Sequence, residues 1–358
     1  MKQLSGNNHP TTVIGMMSGT SLDGLDLASC SFIRSENGWK FIIEATETIE
    51  YTQGWTERLR TAHQLSGEEL IQLDRDYGNF MGEETAAFMA KYNLKADLIS
   101  SHGHTAFHRP EMGYTLQIGH GANIAAKTNL PVISDFRSSD VALGGQGAPL
   151  VPIGDKLLFG DYDACLNLGG FANISFANNG TLKAGDLCPV NIVLNHLAQK
   201  EGFQYDEDGR MGEKGTINKE LLDSLNKIEF YTQPFPRSLG REWVEVNIFP
   251  LFEQFTDTTI NQLRTFYEHV ALQIAPFLNP GSKVLVTGGG AFNHFLIERI
   301  KDSTQAVLEI PSDRLVKYKE ALIFAFMGLL RWKSEINCLK TVTGASRDSC
   351  SGAVHLPI

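Results

Sequence analysis

The segment Gly15-Met-Met-Ser-Gly-Thr-Ser-Leu-Asp-Gly-Leu-Asp26 crowds the hydroxyls of Ser18, Thr20 and Ser21 and the carboxylates of Asp23 and Asp26 among glycines. Hydroxyls donate to phosphate oxygens, a carboxylate holds Mg2+ through water, and glycine lets an anion approach the backbone. The segment is not a Walker loop, since GxxxxGK[ST] is absent, and read alone it is also an ordinary hairpin turn. Two more glycine clusters argue against that plainer reading. Asn167-Leu-Gly-Gly-Phe-Ala-Asn173 and Thr287-Gly-Gly-Gly-Ala-Phe-Asn293 both follow apolar runs, where a ligand approaches a strand end. Together the clusters predict a nucleotide held between two domains.

The elements that must position these residues are legible as period-two and helical patterns. Strands are expected over 12–17, 25–33 and 40–51, then helices over 55–65 and 67–93. Buried strands at 96–101 and 131–136 flank a helix at 120–129. After the glycine-rich passage 142–149 the pattern restarts, with strands at 163–168, 171–177 and 181–187. Asn178-Asn-Gly180 is a tight hairpin signal between the last two. Helices follow at 189–202, 218–227 and 261–278, a strand at 283–287, a strand at 306–310 and a helix from 315 to about 336. Each half thus opens on strands around a glycine turn, which predicts two similar α/β domains facing one another across a cleft.

A formal net charge of −10 over 358 residues argues against a nucleic-acid partner, which needs clustered Lys and Arg. It does not argue against a nucleotide, because a few backbone N–H groups bind phosphate inside an acidic protein. Five scattered cysteines without CxxC spacing fit a reduced, cytoplasmic setting. The polar N-terminus lacks the apolar core of a signal peptide, and the longest apolar stretch, 321–330, is about half of the ~20 residues a membrane span requires. No membrane partner is expected.

The motifs MMSGTSLDGLD, SHGHTAFH, SDFRSSDVALGGQGAPL, NLGGFANIS, GDLCPVN, SLGREW and TGGGAFN occur in an order that resembles the anhydro-N-acetylmuramic acid kinases. The resemblance runs from about residue 15 to residue 320. It implies membership of the acetate and sugar kinase, heat-shock ATPase and actin superfamily, whose two ribonuclease-H-like domains have mixed sheets flanked by helices and close on ATP. It also implies an activity: ATP and water open the 1,6-anhydro ring of a small-molecule amino sugar and phosphorylate O6, in cell-wall recycling. Domain I would span 1–135 and be joined by 340–358, with domain II over 136–339. A homodimer is implied as well.

The same resemblance assigns residues. Asp186, at the end of a predicted strand, falls where the family carries its catalytic base, although an aspartate there is also an ordinary strand-end or helix-cap residue. Gly19, Thr20, Ser21, Leu22, Asp23, Gly24, Leu25 and Asp26 would form the ATP phosphate loop, with Asp23 or Asp26 near Mg2+. Gly169, Gly170 and Asn173 would face the phosphates from the other domain; Gly288, Gly289, Gly290 and Asn293 would lie near adenosine. Thr105, Arg137 and Glu320 match sugar-binding positions, Arg137 for the lactyl carboxylate or a sugar oxygen.

Two departures stand out. Where the family pattern is Asp-Thr-Gly-Pro-Gly-Asn, this chain has Asp186-Leu-Cys-Pro-Val-Asn191, so altered phosphate contacts are expected there. Where the family has Gln after Ser-His-Gly, this chain has His104. His102, His104 and His108 also have the spacing of a metal site, as in a histidine-ligated relative of the superfamily, yet no cysteine or acidic ligand has matching spacing. Other readings of the chain are a kinase for another anhydro- or amino sugar, and a nucleotide-dependent regulatory ATPase.

Overall fold

A computed structural model describes residues 9–19, 22–36, 38–235 and 237–357. Thr20 and Ser21 of the expected phosphate loop lie outside them. The chain divides into two units, Met1–Leu158 with Tyr318–Ile358, and Phe159–Lys317.

The first unit is built on β1 (Thr11–Ser18), β2 (Gly24–Ser35), β3 (Gly38–Glu50), β4 (Leu98–Ser101) and β7 (Val132–Ser134), with β5 (His104–Arg109) and β6 (Tyr114–Ile118) forming a separate hairpin. The second holds β8 (Ala164–Leu168), β9 (Phe171–Asn178), β10 (Thr181–Pro189), β11 (Lys283–Thr287) and β12 (Val307–Glu309). Near the C-terminus β13 (Ala353–His355) pairs antiparallel with β7 and extends the first sheet.

The sheet orders are β13-β7-β4-β1-β2-β3 and β10-β9-β8-β11-β12. In each, the first strand pairs antiparallel with the second and parallel with the fourth. Apart from β13, both sheets therefore have the same order and strand directions, the mixed ribonuclease-H-like arrangement. The β9–β10 hairpin closes on Asn179 (φ 49°) and Gly180 (φ 75°), two left-handed residues in succession as the Asn-Gly signal requires.

Helices cover the sheets because their apolar faces have nowhere else to go. Helix Gly67–Lys91 starts at a capping box in which Ser66 and Glu69 satisfy each other's backbone N–H. It buries Leu73, Tyr77, Met81 and Phe88 against Ile14, Met16, Leu25 and Leu27. Helix Asp313–Trp332 is continuous in hydrogen bonding but leaves helical geometry at Tyr318 (φ −112°, ψ 15°), the residue where the two units divide.

From there the helix lies on the first sheet at glycine contacts. A Cβ on Gly15 would fall 1.9 Å from the Ala321 carbonyl oxygen, and one on Gly328 would fall 2.4 Å from the Ser100 Cβ. These approaches move the expected boundaries. Residues 136–158 and the helix from Tyr318 belong to the first unit: Thr343 donates to Asp140 at 2.7 Å, and Lys319 pairs with Asp155 at 2.7 Å in a buried ion pair. No described helix is long and apolar enough to cross a membrane.

Candidate functional site

In the first unit, the turn from β1 to β2 is held at its entrance by a chain of hydroxyls. The Tyr51 hydroxyl donates to Ser18 Oγ at 2.8 Å and lies 2.6 Å from the Tyr77 hydroxyl. Ser18 Oγ is in turn 3.1 Å from His104 Nδ1. Ser18 Oγ accepts from Tyr51 and keeps a second lone pair, so it meets the His104 ring as donor or as acceptor according to the tautomer. Burial lowers the His104 pKa to about 4, which keeps the ring neutral. Ser18, buried at the entrance of the turn, is thus held by Tyr51 and His104 from two sides.

The left-handed position of the turn also falls on an unexpected residue. Leu22 has φ 62° and donates its N–H to the Gly19 carbonyl at 3.3 Å. Gly24 is needed for a different reason: a Cβ there would lie 2.6 Å from the Ile49 carbonyl oxygen on β3. Asp23 is exposed. Asp26, half-buried beside Leu25, accepts from Thr48 at 2.5 Å, and Thr48 lies 3.0 Å from the Tyr318 hydroxyl. Burial raises the Asp26 pKa, Thr48 opposes the rise and the charge of Asp23 adds to it. Such a carboxylate gains from a cation, and Mg2+ commonly takes only one or two protein carboxylates with phosphate completing its shell.

The expected sugar-binding residues gather in the same unit. Arg137 Nη1 donates to the Gly147 carbonyl at 2.6 Å, and Nε and Nη2 reach His102 Nε2 at 3.0 and 2.8 Å. Burial lowers the Arg137 pKa to about 10, against the raising charge of Glu320, so the guanidinium stays protonated at neutral pH. Glu320 keeps water contact, but crowding by protein atoms raises its carboxyl pKa; Arg137 opposes this and Asp26 adds to it. Thr105 stands on β5, and its hydroxyl accepts from Gln117 at 3.4 Å. Gln117 Oε1 is buried without a partner.

The three histidines each meet a different protein partner. His102 is taken by Arg137, His104 by Ser18 and His108 by Thr115, and no group of described residues has the makings of a metal cluster.

In the second unit, Asp186 lies on β10 opposite Asn173 of β9. Between Asp186 and Cys188 the register slips by one residue, a bulge that re-aims the chain. Leu187, Cys188 and Val190 are fully buried, so the residues that depart from the family pattern fill core space. The strand consequently runs on to Pro189 and the next helix starts at Asn191, later than the periodicity predicted. The Asp186 side chain accepts at Oδ2 from the Leu239 N–H at 2.8 Å and from Ser238 Oγ at 3.4 Å. Burial raises its pKa above the ordinary carboxylate range, with those donors and the charge of Arg237 pulling it down.

The glycine turns are shaped for different tasks. The carbonyl of Gly170 accepts from Val190 and Ile192, and that of Gly169 from Asn191, so this turn ties off the first N–H groups of helix Asn191–Lys200. A Cβ on Gly170 would meet nothing within 4 Å. Gly288 (φ 83°) must be glycine, because a Cβ would lie 2.6 Å from Asn167 Oδ1. Gly290 is buried against Leu168.

Gly289 and Asn293 line a cavity of about 380 Å³ together with Asn191, Tyr205, Tyr267 and Phe292, a volume in the range of small-ligand pockets. Asn293 caps helix His294–Ser303 through Oδ1 and donates Nδ2 to the Tyr267 hydroxyl at 2.8 Å, so it builds the wall. Tyr205 and Tyr267 escaped sequence reasoning; they are far apart in the chain, and no spacing linked them to the glycines.

A profile of the anhydro-N-acetylmuramic acid kinase family matches residues 11–357. The anhydro-N-acetylmuramic acid kinase of Vibrio cholerae serotype O1 is 32% identical over 368 residues, covering 96% of this chain and 98% of its own. The enzyme of the same name from Shewanella frigidimarina is 34% identical, with 96% and 98% covered. Among solved structures, component A of the (R)-2-hydroxyglutaryl-CoA dehydratase of Acidaminococcus fermentans superposes with a TM-score of 0.43 at 14% identity, covering 88% of this chain and 96% of that one.

Proposed function

The chain belongs to the anhydro-N-acetylmuramic acid kinase family, and from that premise we propose that it opens the 1,6-anhydro ring of anhydro-N-acetylmuramic acid with water and phosphorylates O6 from ATP. The observation that carries the reading is Asp186. It is a half-buried carboxylate beside a strand bulge, fixed through Oδ2 by the Leu239 N–H, and no described hydrogen bond reaches Oδ1.

In this reading Asp186 Oδ1 takes the proton of a water that attacks C1. The C1–O6 bond breaks, and O6, carrying the released electron pair, attacks the γ-phosphorus of ATP as ADP leaves. No proton need be supplied to O6, because phosphoryl transfer neutralises it. A raised Asp186 pKa makes the carboxylate a stronger base than a solvated one. Arg137, braced by His102 and Gly147, is proposed to bind an oxygen or the lactyl carboxylate of the sugar, with Thr105 and Glu320 beside it.

The nucleotide is assigned to Gly19, Thr20, Ser21, Leu22, Asp23, Gly24, Leu25 and Asp26 for its phosphates, with Gly169, Gly170 and Asn173. The cavity at Gly289 and Asn293 is assigned to its nucleoside. Asp26, with Asp23, fits Mg2+, which supplies charge neutralisation of the transferring phosphoryl group. The product on this reading is N-acetylmuramic acid 6-phosphate, formed in the cytoplasm during cell-wall recycling. Purified protein with ATP, Mg2+ and anhydro-N-acetylmuramic acid should release ADP and a sugar phosphate in equal amounts. ADP release that ignores the sugar would overturn the proposal.

A further inference from the structure

We infer that Arg237 is a positioning residue for Asp186, holding the base by its backbone from the open edge of the sheet; this rests on the catalytic role proposed above. β10 is an edge strand, so the outward N–H and C=O of Asp186 have no neighbouring strand. Arg237 supplies both partners. Its carbonyl accepts from the Asp186 N–H at 3.0 Å, and its Nε donates to the Asp186 carbonyl at 2.8 Å. The two residues that follow it, Ser238 and Leu239, deliver the donors to the Asp186 carboxylate. This support stands where the bulge interrupts the register between β10 and β9.

The guanidinium is itself fixed from several sides. Nη1 donates to the carbonyls of Phe230, Tyr231 and Gln233 at 3.3, 3.1 and 3.1 Å. Its central carbon lies 5.0, 5.0 and 5.3 Å from the ring centres of Phe230, Phe235 and Phe277. Arg237 is only 8% exposed, and a Cβ on Gly185 would lie 2.8 Å from its carbonyl oxygen, so the segment is pressed onto β10. A planar fork with several fixed N–H directions suits this set of acceptors; a lysine ammonium reaches fewer of them at once. Arg237 immediately precedes the SLGREW motif, whose first two residues, Ser238 and Leu239, are the donors to the carboxylate.

The positive charge beside Asp186 also lowers the aspartate's pKa against the effect of burial. Removing it should move the acid limb of kcat to higher pH.

The test compares wild type, Arg237→Met and Arg237→Lys in steady-state kinetics with ATP, Mg2+ and anhydro-N-acetylmuramic acid. The expected result for Arg237→Met is a kcat lower by about 10²-fold, the scale of an ångström-sized misplacement, with both KM values nearly unchanged. Its acid limb should shift upward, and added guanidinium ion should restore part of the rate where equal NaCl does not. If the methionine variant does not fold, the lysine variant decides: a lower kcat at unchanged KM supports the role. A folded variant with wild-type kcat and an unmoved acid limb overturns it and leaves the activity standing. A wild type that makes no sugar phosphate overturns the activity and this role together.

Discussion

Arg137 reaches the Nε2 atom of His102 through both Nε and Nη2, at 3.0 and 2.8 Å, while His102 Nδ1 lies 2.9 Å from the Gly103 carbonyl. The arrangement fixes one tautomer: Nδ1 carries the proton and Nε2 is the acceptor. Burial and the guanidinium hold the His102 pKa well below the usual histidine range, so the ring stays neutral. The histidine is a brace for the cation assigned to the sugar.

His102→Ala should therefore weaken sugar binding. Losing a hydrogen bond to a charged group costs about 1.5–3 kcal/mol, which is about 10- to 150-fold in KM for the sugar if Arg137 swings away. KM for ATP should not follow. His102→Gln, which keeps an acceptor, should lose less. Equal rises in both KM values would contradict the assignment.

His104 carries a prediction about acid stability. Its pKa is about 4 in the folded chain, below the ordinary value of 6.5. Between those values the unfolded chain binds more protons than the folded one, so stability is full above pH 6.5 and is lost as pH falls toward 4. The loss from this group alone is about 2 kcal/mol at pH 5. His104→Gln, the residue of the family pattern, should shrink the stability difference between pH 7 and pH 5 by about that amount in urea melts. An unchanged difference would mean that burial does not hold the ring neutral.

Asp186→Asn should lower kcat by about 10²- to 10⁴-fold, the usual contribution of a general base. In the wild type the acid limb of kcat should lie above the ordinary aspartate value of 3.8, because burial raises this pKa and the base works only ionised. Activity is then lost as pH falls through the raised value. A fully active Asp186→Asn would remove Asp186 from the chemistry.

Two glycine substitutions separate packing from binding. Gly15→Ala places a Cβ against the Ala321 carbonyl and should cost about 3 kcal/mol or more, read as a lower melting temperature. Gly170→Ala meets nothing within 4 Å and should leave the melting temperature alone while raising KM for ATP. A Gly170→Ala enzyme with normal KM would take that turn out of the phosphate site.

Much of this was readable from residue patterns because the strands are either apolar runs or period-two alternations, and glycine punctuates them. The Asn179-Gly180 turn and the repeated strand order were visible for that reason. The β5–β6 hairpin was not, since its pairing shifts by a residue between Thr105 and Phe107 and spoils the alternation. The same physics hid the end of β10, where the bulge at Leu187 carries the strand on to Pro189. The division of the chain at Tyr318 was invisible too, because helix Asp313–Trp332 shows one unbroken apolar pattern. Of the site, the family resemblance and not residue type pointed to Asp186, Arg137 and Glu320. The braces Arg237, His102 and Tyr51 act through geometry that no spacing encodes.

The most direct test of the central claim is the mass of the product made from ATP and anhydro-N-acetylmuramic acid. Ring opening coupled to phosphorylation adds the elements of water and HPO3 together, so the sugar should gain the mass of one phosphoric acid, with its 31P signal coupled to the C6 protons. A product that gains HPO3 alone, with the anhydro ring intact, would contradict the account.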